Sequence, residues 1–181
     1  MSEVESSDII SGRMKRILGE KEVDEFFRPQ YYKMLKECLD ILDISYYPTA
    51  VGVLGKALEN EIKEFLKNSI KSKKMLSVNS GDYSKARIIK AFDSESHDKR
   101  VKFLNGELVK IDNKEYKLKR KLLKLEDYNE LLAIKNVRND VFHGCSDERY
   151  IEIEAKSYSY LERGIIILTM LEKLNREYED L

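Results

Sequence analysis

The sequence predicts an all-α protein, a bundle of four to five long helices with a small β-hairpin insertion. Three observations lead to this fold class. Apolar residues recur at the three-and-four spacing of amphipathic helices in four long segments, and the last of these segments are joined by short connections. Between residues 71 and 124 that pattern breaks up, and apolar residues flank the turn-forming pairs Asn-Gly and Asp-Asn. A helical bundle buries the apolar faces of four such segments at once.

The chain has the length of one domain. Its 181 residues can bury roughly two-thirds of the unfolded surface without disulfides or bound metal. Residues 1–24 are polar and without periodicity, which predicts a flexible or partly helical N-terminal arm before a helical domain at residues 25–181. No apolar leader and no run of about 18 apolar residues is present, so we expect a cytoplasmic protein without membrane contact.

The two cysteines, Cys38 and Cys145, are too few for a disulfide framework and match no metal-ligand spacing. This usage favours a reducing compartment. Both thiols are expected to be buried as small hydrophobic side chains.

The first two helices are predicted from proline starts and apolar periodicity. One begins at Pro29 and the other at Pro48, since proline suits the first helical turn. Gly52 and Gly55 lower the helix propensity of the second, which predicts the close approach of another helix. The apolar positions of the first are Tyr31, Met34, Leu35, Cys38, Leu39 and Leu42, and those of the second are Val51, Leu54, Ala57, Leu58, Ile62, Phe65 and Leu66.

The middle of the chain is predicted to hold a short helix near residues 83–92 and then strands. Asn105-Gly106 is expected to turn a hairpin between residues 101–104 and 107–111. A second turn at residues 112–113 adds Tyr116 and Leu118 as a third strand. Residue His97, in a polar stretch, is expected to be a solvated surface residue.

This insertion is also basic. Residues 71–124 hold 16 Lys and Arg against 7 Asp and Glu, whereas the whole chain has no net charge. Such an excess is what a polyanion contact needs, although interspersed lysines also form ordinary solvated surfaces. Tyr83 and Tyr116 are candidates for stacking on bases.

The last two helices complete the predicted bundle. One spans about Asp127 to Phe142 and is stopped by Gly144. The other spans about Ile153 to Tyr178. Its predicted inward side chains are Tyr158, Leu161, Ile165, Leu168, Leu171 and Leu174.

The penultimate helix ends in a polar cluster, Arg138-Asn139-Asp140-Val141-Phe142-His143, with Ile134, Val137 and Val141 anchoring its inward side. At 100° per residue Asn139 and His143 lie about 40° apart, while Arg138 lies about 140° from His143. This pairing suits RNA phosphodiester cleavage by an adjacent 2′-hydroxyl. An imidazole can accept the hydroxyl proton or protonate the leaving 5′-oxygen, and an arginine can neutralise the non-bridging oxygens. Asn139 could orient the phosphate or hold the imidazole tautomer.

This Arg-Asn-x-x-x-His run, with four residues between the arginine and the histidine, resembles the signature of the HEPN superfamily. Residues 53–62, with their Ala-Leu-Glu run, also resemble the early helix of that family. The resemblance covers about residues 28–70 and 125–178 and leaves the insertion outside. It implies a HEPN-like bundle and a metal-independent, cofactor-free endoribonuclease of toxin or defence type, acting as a homodimer on RNA. Arg138 and His143 then take the catalytic roles, and Asn139 supports them.

Two other hypotheses for the function remain open. Non-catalytic HEPN proteins keep the bundle and bind RNA or a partner, for example a nucleotidyltransferase antitoxin. Alternatively, Arg138, Asp140 and Glu61 form a buried polar network in a helical interaction protein. Glu61 falls within the apolar stripe of its helix and needs a partner, for which Arg138 is the candidate. Glu59 matches the resemblance better but points elsewhere on the helical wheel.

Other chemistries lack their motifs. The sequence contains no phosphate-binding glycine loop, no metal-ligand cluster and no serine or cysteine nucleophile motif. This weakens kinase, metallohydrolase and acyl-transfer interpretations.

Overall fold

The computed structural model describes residues 34, 37–38, 40–41, 46–71, 76–77, 85–111, 114–118 and 121–179. This part of the chain is mostly helical, which confirms the all-α class. The predicted N-terminal arm and most of the first predicted helix lie outside the described residues. Those residues of the first helix that are described, such as Met34 and Cys38, are helical. No helix in the described ranges is long and apolar enough to cross a membrane.

Eight elements follow one another in the described chain. They are α1 (Tyr47–Lys71), β1 (Leu76–Ser77), α2 (Lys85–Ser94), α3 (His97–Leu104), β2 (Val109–Ile111), β3 (Lys114–Leu118), α4 (Leu125–His143) and α5 (Asp147–Glu179). The chain divides into two compact units. Unit 1 comprises residues 1–58 and 133–169, and unit 2 comprises residues 59–132 and 170–181.

In unit 1, glycines in α1 allow close packing against α4. A Cβ atom on Gly55 would lie 3.2 Å from both Cβ of Arg138 and Cγ2 of Ile134, and one on Gly52 would lie 2.9 Å from Cζ of Phe142. These distances are tighter than ordinary side-chain contacts. The predicted close approach of another helix at Gly52 and Gly55 is therefore confirmed.

A glycine in α5 also allows close packing between helices. A Cβ atom on Gly164 would lie 2.7 Å from Cδ2 of Leu54 and 3.1 Å from Cδ1 of Ile134, two side chains that are themselves buried. Three helices of unit 1 thus meet with their backbones close together. All apolar positions predicted for α1 from Val51 to Leu66 are buried.

In unit 2, the strands form one antiparallel sheet in the order β1-β3-β2. Its inner face carries Val109, Tyr116 and Leu118, which are buried. Aromatic rings cover this face. The Phe92 ring lies 4.8 Å from that of Phe103 and 5.9 Å from that of Tyr116, measured between centroids. The sheet is therefore half-buried, as its alternating sequence requires.

The prediction of a hairpin at Asn105-Gly106 was wrong, because residues 97–104 form helix α3. Ser96 caps that helix by accepting a hydrogen bond from the amide of Lys99 at 3.4 Å. Gly106 follows its end with φ +79° and donates its amide to the Phe103 carbonyl. An Asn-Gly pair supplies the positive φ that a tight hairpin needs, but a helix C-terminus uses the same freedom.

The prediction of paired strands on either side of residues 112–113 is confirmed. Strands β2 and β3 pair across residues 112–113, which lie outside the described residues, with Ile111 opposite Lys114. Tyr116 and Leu118 belong to β3 as predicted. His97 corrects another expectation, since this residue is buried in unit 2 and not solvated.

The last two helices match their predictions except at one boundary. Gly144, with φ +90°, ends α4. Helix α5 begins at Asp147 instead of Ile153, because Ser146 caps it by accepting the amide of Arg149 at 3.3 Å. Of the side chains predicted to point inward, Leu161, Ile165, Leu168 and Leu171 are buried, while Tyr158 and Leu174 are half-buried.

Candidate active site at the end of helix α4

The motif lies in the last turns of α4, where the helix passes from buried residues to an exposed C-terminal end. Ile134 and Val137 are buried and Val141 is half-buried, so the inward anchor is largely as predicted. From Phe142 to Glu148 every side chain is exposed, and His143 is among them. The imidazole therefore stands in solvent at the C-terminus of a helix that is held by packing further back.

Arg138 is half-buried, and its guanidinium is oriented by the next residue. Its Nε and Nη2 groups donate hydrogen bonds to Oδ1 of Asn139 at 3.3 and 3.0 Å. Two bonds to one oxygen restrict rotation of the planar guanidinium. The prediction that Asn139 orients the phosphate or holds the imidazole tautomer stays a prediction, and the structure adds that its side-chain oxygen accepts hydrogen bonds from Arg138. The Cβ atom of Arg138 packs closely against Gly55 of α1.

Asp140 connects the motif to the next helix. Nε of Arg149 donates to Oδ2 of Asp140 at 2.9 Å, and Nη1 donates to Glu152 at 2.8 Å. These two carboxylates, Glu152 first, raise the pKa of Arg149. The ion pair joins the last turn of α4 to the first turn of α5. Asp140 is half-buried and bound to Arg149. Its supporting role, and the alternative in which it shares a polar network with Arg138 and Glu61, stay predictions.

Sequence reasoning missed Arg149. Nine positions separate it from Asp140, and they span a connection whose path the sequence does not specify. The signal that could have found it is Ser146, an N-cap residue that places Arg149 in the first turn of α5.

Exposed apolar side chains surround this helix connection. Phe142, Tyr150 and Ile151 are 52%, 39% and 64% exposed. Phe142 rests one ring edge on Gly52 and presents the rest of its ring to solvent. Phe142 lies in the last turn of α4, and Tyr150 and Ile151 lie in the first two turns of α5.

The two cysteines differ, which corrects half of the prediction for them. Cys145 is exposed in the connection after His143. Cys38 is buried, and its thiol donates to the Ala50 carbonyl at 3.4 Å. Burial raises the pKa of Cys38 to about 12.

Glu61 lies in unit 2 and is fully buried. Its Oε1 accepts a hydrogen bond from Nδ2 of Asn175 at 2.6 Å, and Oδ1 of Asn175 accepts one from Asn68 at 2.6 Å. The prediction that this carboxylate has a polar partner is thus confirmed. Its pairing with Arg138 would join residues of the two units and stays a prediction.

Glu59 lies between two basic side chains of unit 2. Its carboxylate lies 3.3 Å from Lys63 and 3.8 Å from the guanidinium of Arg100. Arg100 is buried and donates to the carbonyls of Phe92 and Asp93, at 3.1 and 2.9 Å, in the last turn of α2. Burial lowers the pKa of Arg100. A supporting role of Glu59 in catalysis stays a prediction.

Comparisons of the chain with protein-family models, with curated proteins and with solved structures found no match. The residues of the described ranges contain no group of three or more His, Cys, Asp or Glu side chains arranged to hold a metal ion.

Proposed function

We propose that this protein is a metal-independent endoribonuclease of toxin or defence type, with its active site at the exposed end of α4. One observation carries the proposal. An oriented arginine, Arg138, and an exposed histidine, His143, share the end of a helix that glycine contacts hold in place. The all-α fold and the resemblance of the motif to the HEPN superfamily agree with this assignment.

The reaction uses the nucleophile that RNA itself supplies. The 2′-oxygen attacks the adjacent phosphorus and loses its proton to a base, while the bond to the 5′-oxygen breaks and that oxygen takes a proton. The products are a 2′,3′-cyclic phosphate and a free 5′-hydroxyl. His143 is either the base or the acid, which are the roles that histidine most often takes in proton transfer.

Arg138 stabilises the charge that builds on the non-bridging oxygens. A guanidinium presents paired donors that match these oxygens, and fixing its plane beforehand avoids the cost of ordering it during the reaction. The two hydrogen bonds to Asn139 supply that fixation. Asn139 is therefore a positioning residue in this proposal, acting through Arg138.

The proposed active form is a homodimer. Arg138 and His143 lie about 140° apart around one helix, which hinders a single copy from placing both on one phosphate. Two copies that join the ends of their α4 helices line one cleft with both motifs. Phe142, Tyr150 and Ile151 provide exposed apolar surface beside the motif for this contact.

The same apolar surface favours one alternative, a non-catalytic HEPN-type module that binds RNA or a partner protein such as a nucleotidyltransferase antitoxin. This module needs neither the imidazole nor the oriented guanidinium. Binding that persists in His143→Ala, together with no cleavage by the wild type, would select it.

The test is RNA cleavage in the presence of chelator. Purified wild type, His143→Ala and Arg138→Lys are incubated with a mixed pool of tRNA, rRNA and mRNA, and the product ends are mapped. We expect the wild type to leave cyclic or 3′-phosphate ends and to spare DNA, which lacks the 2′-hydroxyl. We expect roughly 100-fold slower cleavage by both variants. Intact RNA at concentrations where the wild type is dimeric contradicts the proposal, as does full activity of His143→Ala.

A further inference from the structure

The sheet of unit 2 leaves one face exposed. Lys110 pairs with Glu115, and Lys117 lies two positions further along β3, which places these three residues on the face opposite Val109, Tyr116 and Leu118. Lys110, Glu115 and Lys117 are exposed, whereas the residues of the inner face that alternate with them are buried. Two lysines therefore project from the outer face of a sheet whose inner face is packed against aromatic rings.

Further lysines lie at one end of this sheet. Because β2 and β3 are antiparallel, the start of β2 and the end of β3 are neighbours, and the chain reaches this end from α3 and leaves it toward α4. A Cβ atom on Gly106 would lie 3.3 Å from Lys121, and the Glu107 amide donates to the Lys102 carbonyl. Lys102, Lys121 and Lys124 are all exposed.

Two of these exposed lysines, Lys110 and Lys117, lie on the outer face of the sheet, and Lys102, Lys121 and Lys124 lie in the segments that precede β2 and follow β3. The five lysines are together called the basic surface below. None of the five lysines makes an ion pair with another residue of the described ranges. Within the described residues their charges are not taken up by an ion pair, in contrast to that of Lys99, which lies 2.6 Å from Glu95. Glu115 is the one acidic side chain on the outer face among the described strand residues.

We propose that the basic surface binds the phosphate backbone of single-stranded RNA. The choice of RNA as the ligand rests on the proposed function. The charge and the exposure of the surface are independent of that function. Lysines bind phosphates as point charges, and the release of counterions from the nucleic acid drives the association.

Recognition at this surface is independent of sequence. Tyr116, a candidate for base stacking, is buried beside Phe92 on the inner face and cannot reach a base on the outer one. Phosphate contacts fix the position of a strand without reading its bases. The basic surface therefore holds substrate, and any choice of cleavage position is made elsewhere.

The experiment measures binding separately from cleavage. A fluorescent single-stranded RNA is titrated with His143→Ala protein, in which cleavage is disabled, over a series of salt concentrations. The double substitution Lys110→Gln/Lys117→Gln in that background is expected to weaken binding about tenfold at 0.1 M salt. It is also expected to reduce the slope of log affinity against log salt by about 1.4, at roughly 0.7 per lost phosphate contact. Lys173→Gln, an exposed lysine on α5, is the matched control and should change neither quantity.

Three outcomes overturn the inference. One is an unchanged affinity and salt slope in the double variant. Another is an equal loss in Lys173→Gln, which would indicate a diffuse charge effect. The third is equally tight binding of a polyglutamate of similar length, which would point to an acidic protein as the occupant. Urea unfolding at an unchanged midpoint verifies that the variants fold.

The cleavage and binding results together distinguish a failure of this inference from a failure of the proposed function. If wild type leaves RNA intact but the double variant loses binding, the basic surface stands and the nuclease assignment fails. If wild type cleaves RNA and the double variant binds it normally, the nuclease assignment stands and the basic surface fails. If both are correct, the double substitution in the wild type raises KM and leaves kcat nearly unchanged, because it removes binding that is equal in the ground and transition states.

Discussion

Two polar clusters among the described residues differ in burial. In unit 2, Glu61, Asn175 and Asn68 are linked by hydrogen bonds of 2.6 Å and are all buried. In unit 1, Arg138 is half-buried and His143 is exposed. A buried polar side chain has to be bonded for the fold to be stable, whereas an exposed histidine at a helix end does little for stability. Stability therefore accounts for the first cluster, and the proposed function gives an account of the second.

The largest effect on stability is expected in the buried cluster. Asn175→Ala removes the donor to Glu61 and the acceptor from Asn68, so the free energy of unfolding should fall by about 3 kcal/mol in urea titrations. Asn136→Ala, at an exposed asparagine on α4, is the matched control and should change it by less than ~0.5 kcal/mol. Equal effects of the two substitutions would remove the contrast between the clusters.

The close packing of unit 1 gives the next largest effect. Gly164→Ala places a methyl group against Leu54 and Ile134, both buried, and should destabilise the protein by about 1–2 kcal/mol despite the better helix propensity of alanine. Gly52→Ala meets only the ring edge of Phe142, which is half exposed and can move. We expect that second variant to unfold close to wild type yet cleave RNA more slowly, because Phe142 precedes His143.

The fold could be predicted from the sequence wherever one periodic signal dominated. Helix α1 followed from its apolar stripe, and its contact with α4 followed from Gly52 and Gly55. Helix α3 was missed because Asn105-Gly106 fits both a hairpin turn and a helix end. The signal that distinguishes the two is Ser96, which caps the start of α3. The start of α5 was misplaced, and the signal for it is Ser146, which is also a cap.

The site was predictable only in part. Arg138, Asn139 and His143 are adjacent in sequence, so helical geometry could relate them. Partners that are far apart in sequence could not be found, because they depend on packing. Asn68 and Asn175 are 107 positions apart, and no pattern in either helix indicates their hydrogen bond. Asp140 and Arg149 are closer in sequence but separated by a helix connection.

The ion pair between Asp140 and Arg149 tests whether a partly exposed contact in the motif serves stability. Both side chains are about one-third exposed, so a double-mutant cycle with Asp140→Asn and Arg149→Gln should give a coupling energy in unfolding of only about 0.5 kcal/mol. Cleavage rates in the same cycle should show stronger coupling, because the pair joins the end of α4 to α5. A coupling of several kcal/mol in unfolding would make the pair structural.

The smallest change is expected at the cysteines. With its pKa raised to about 12, Cys38 stays a protonated thiol at pH 8, and burial shields it. A thiol reagent should therefore modify one cysteine, Cys145, in the native protein and both after denaturation. A bulky adduct on Cys145 should slow RNA cleavage without unfolding the chain, and mass spectrometry of the native protein checks the count. Rapid labelling of Cys38 would contradict the burial described here.

The central claim, that the end of α4 is a functional site and not a stabilising one, is tested most directly by measuring His143→Ala twice. RNA cleavage in chelator and urea unfolding are recorded on the same preparation beside wild type. The account predicts cleavage at least 100-fold slower with a change in unfolding free energy below ~0.5 kcal/mol. Unchanged cleavage, or a loss of activity that follows an equal loss of stability, would contradict it.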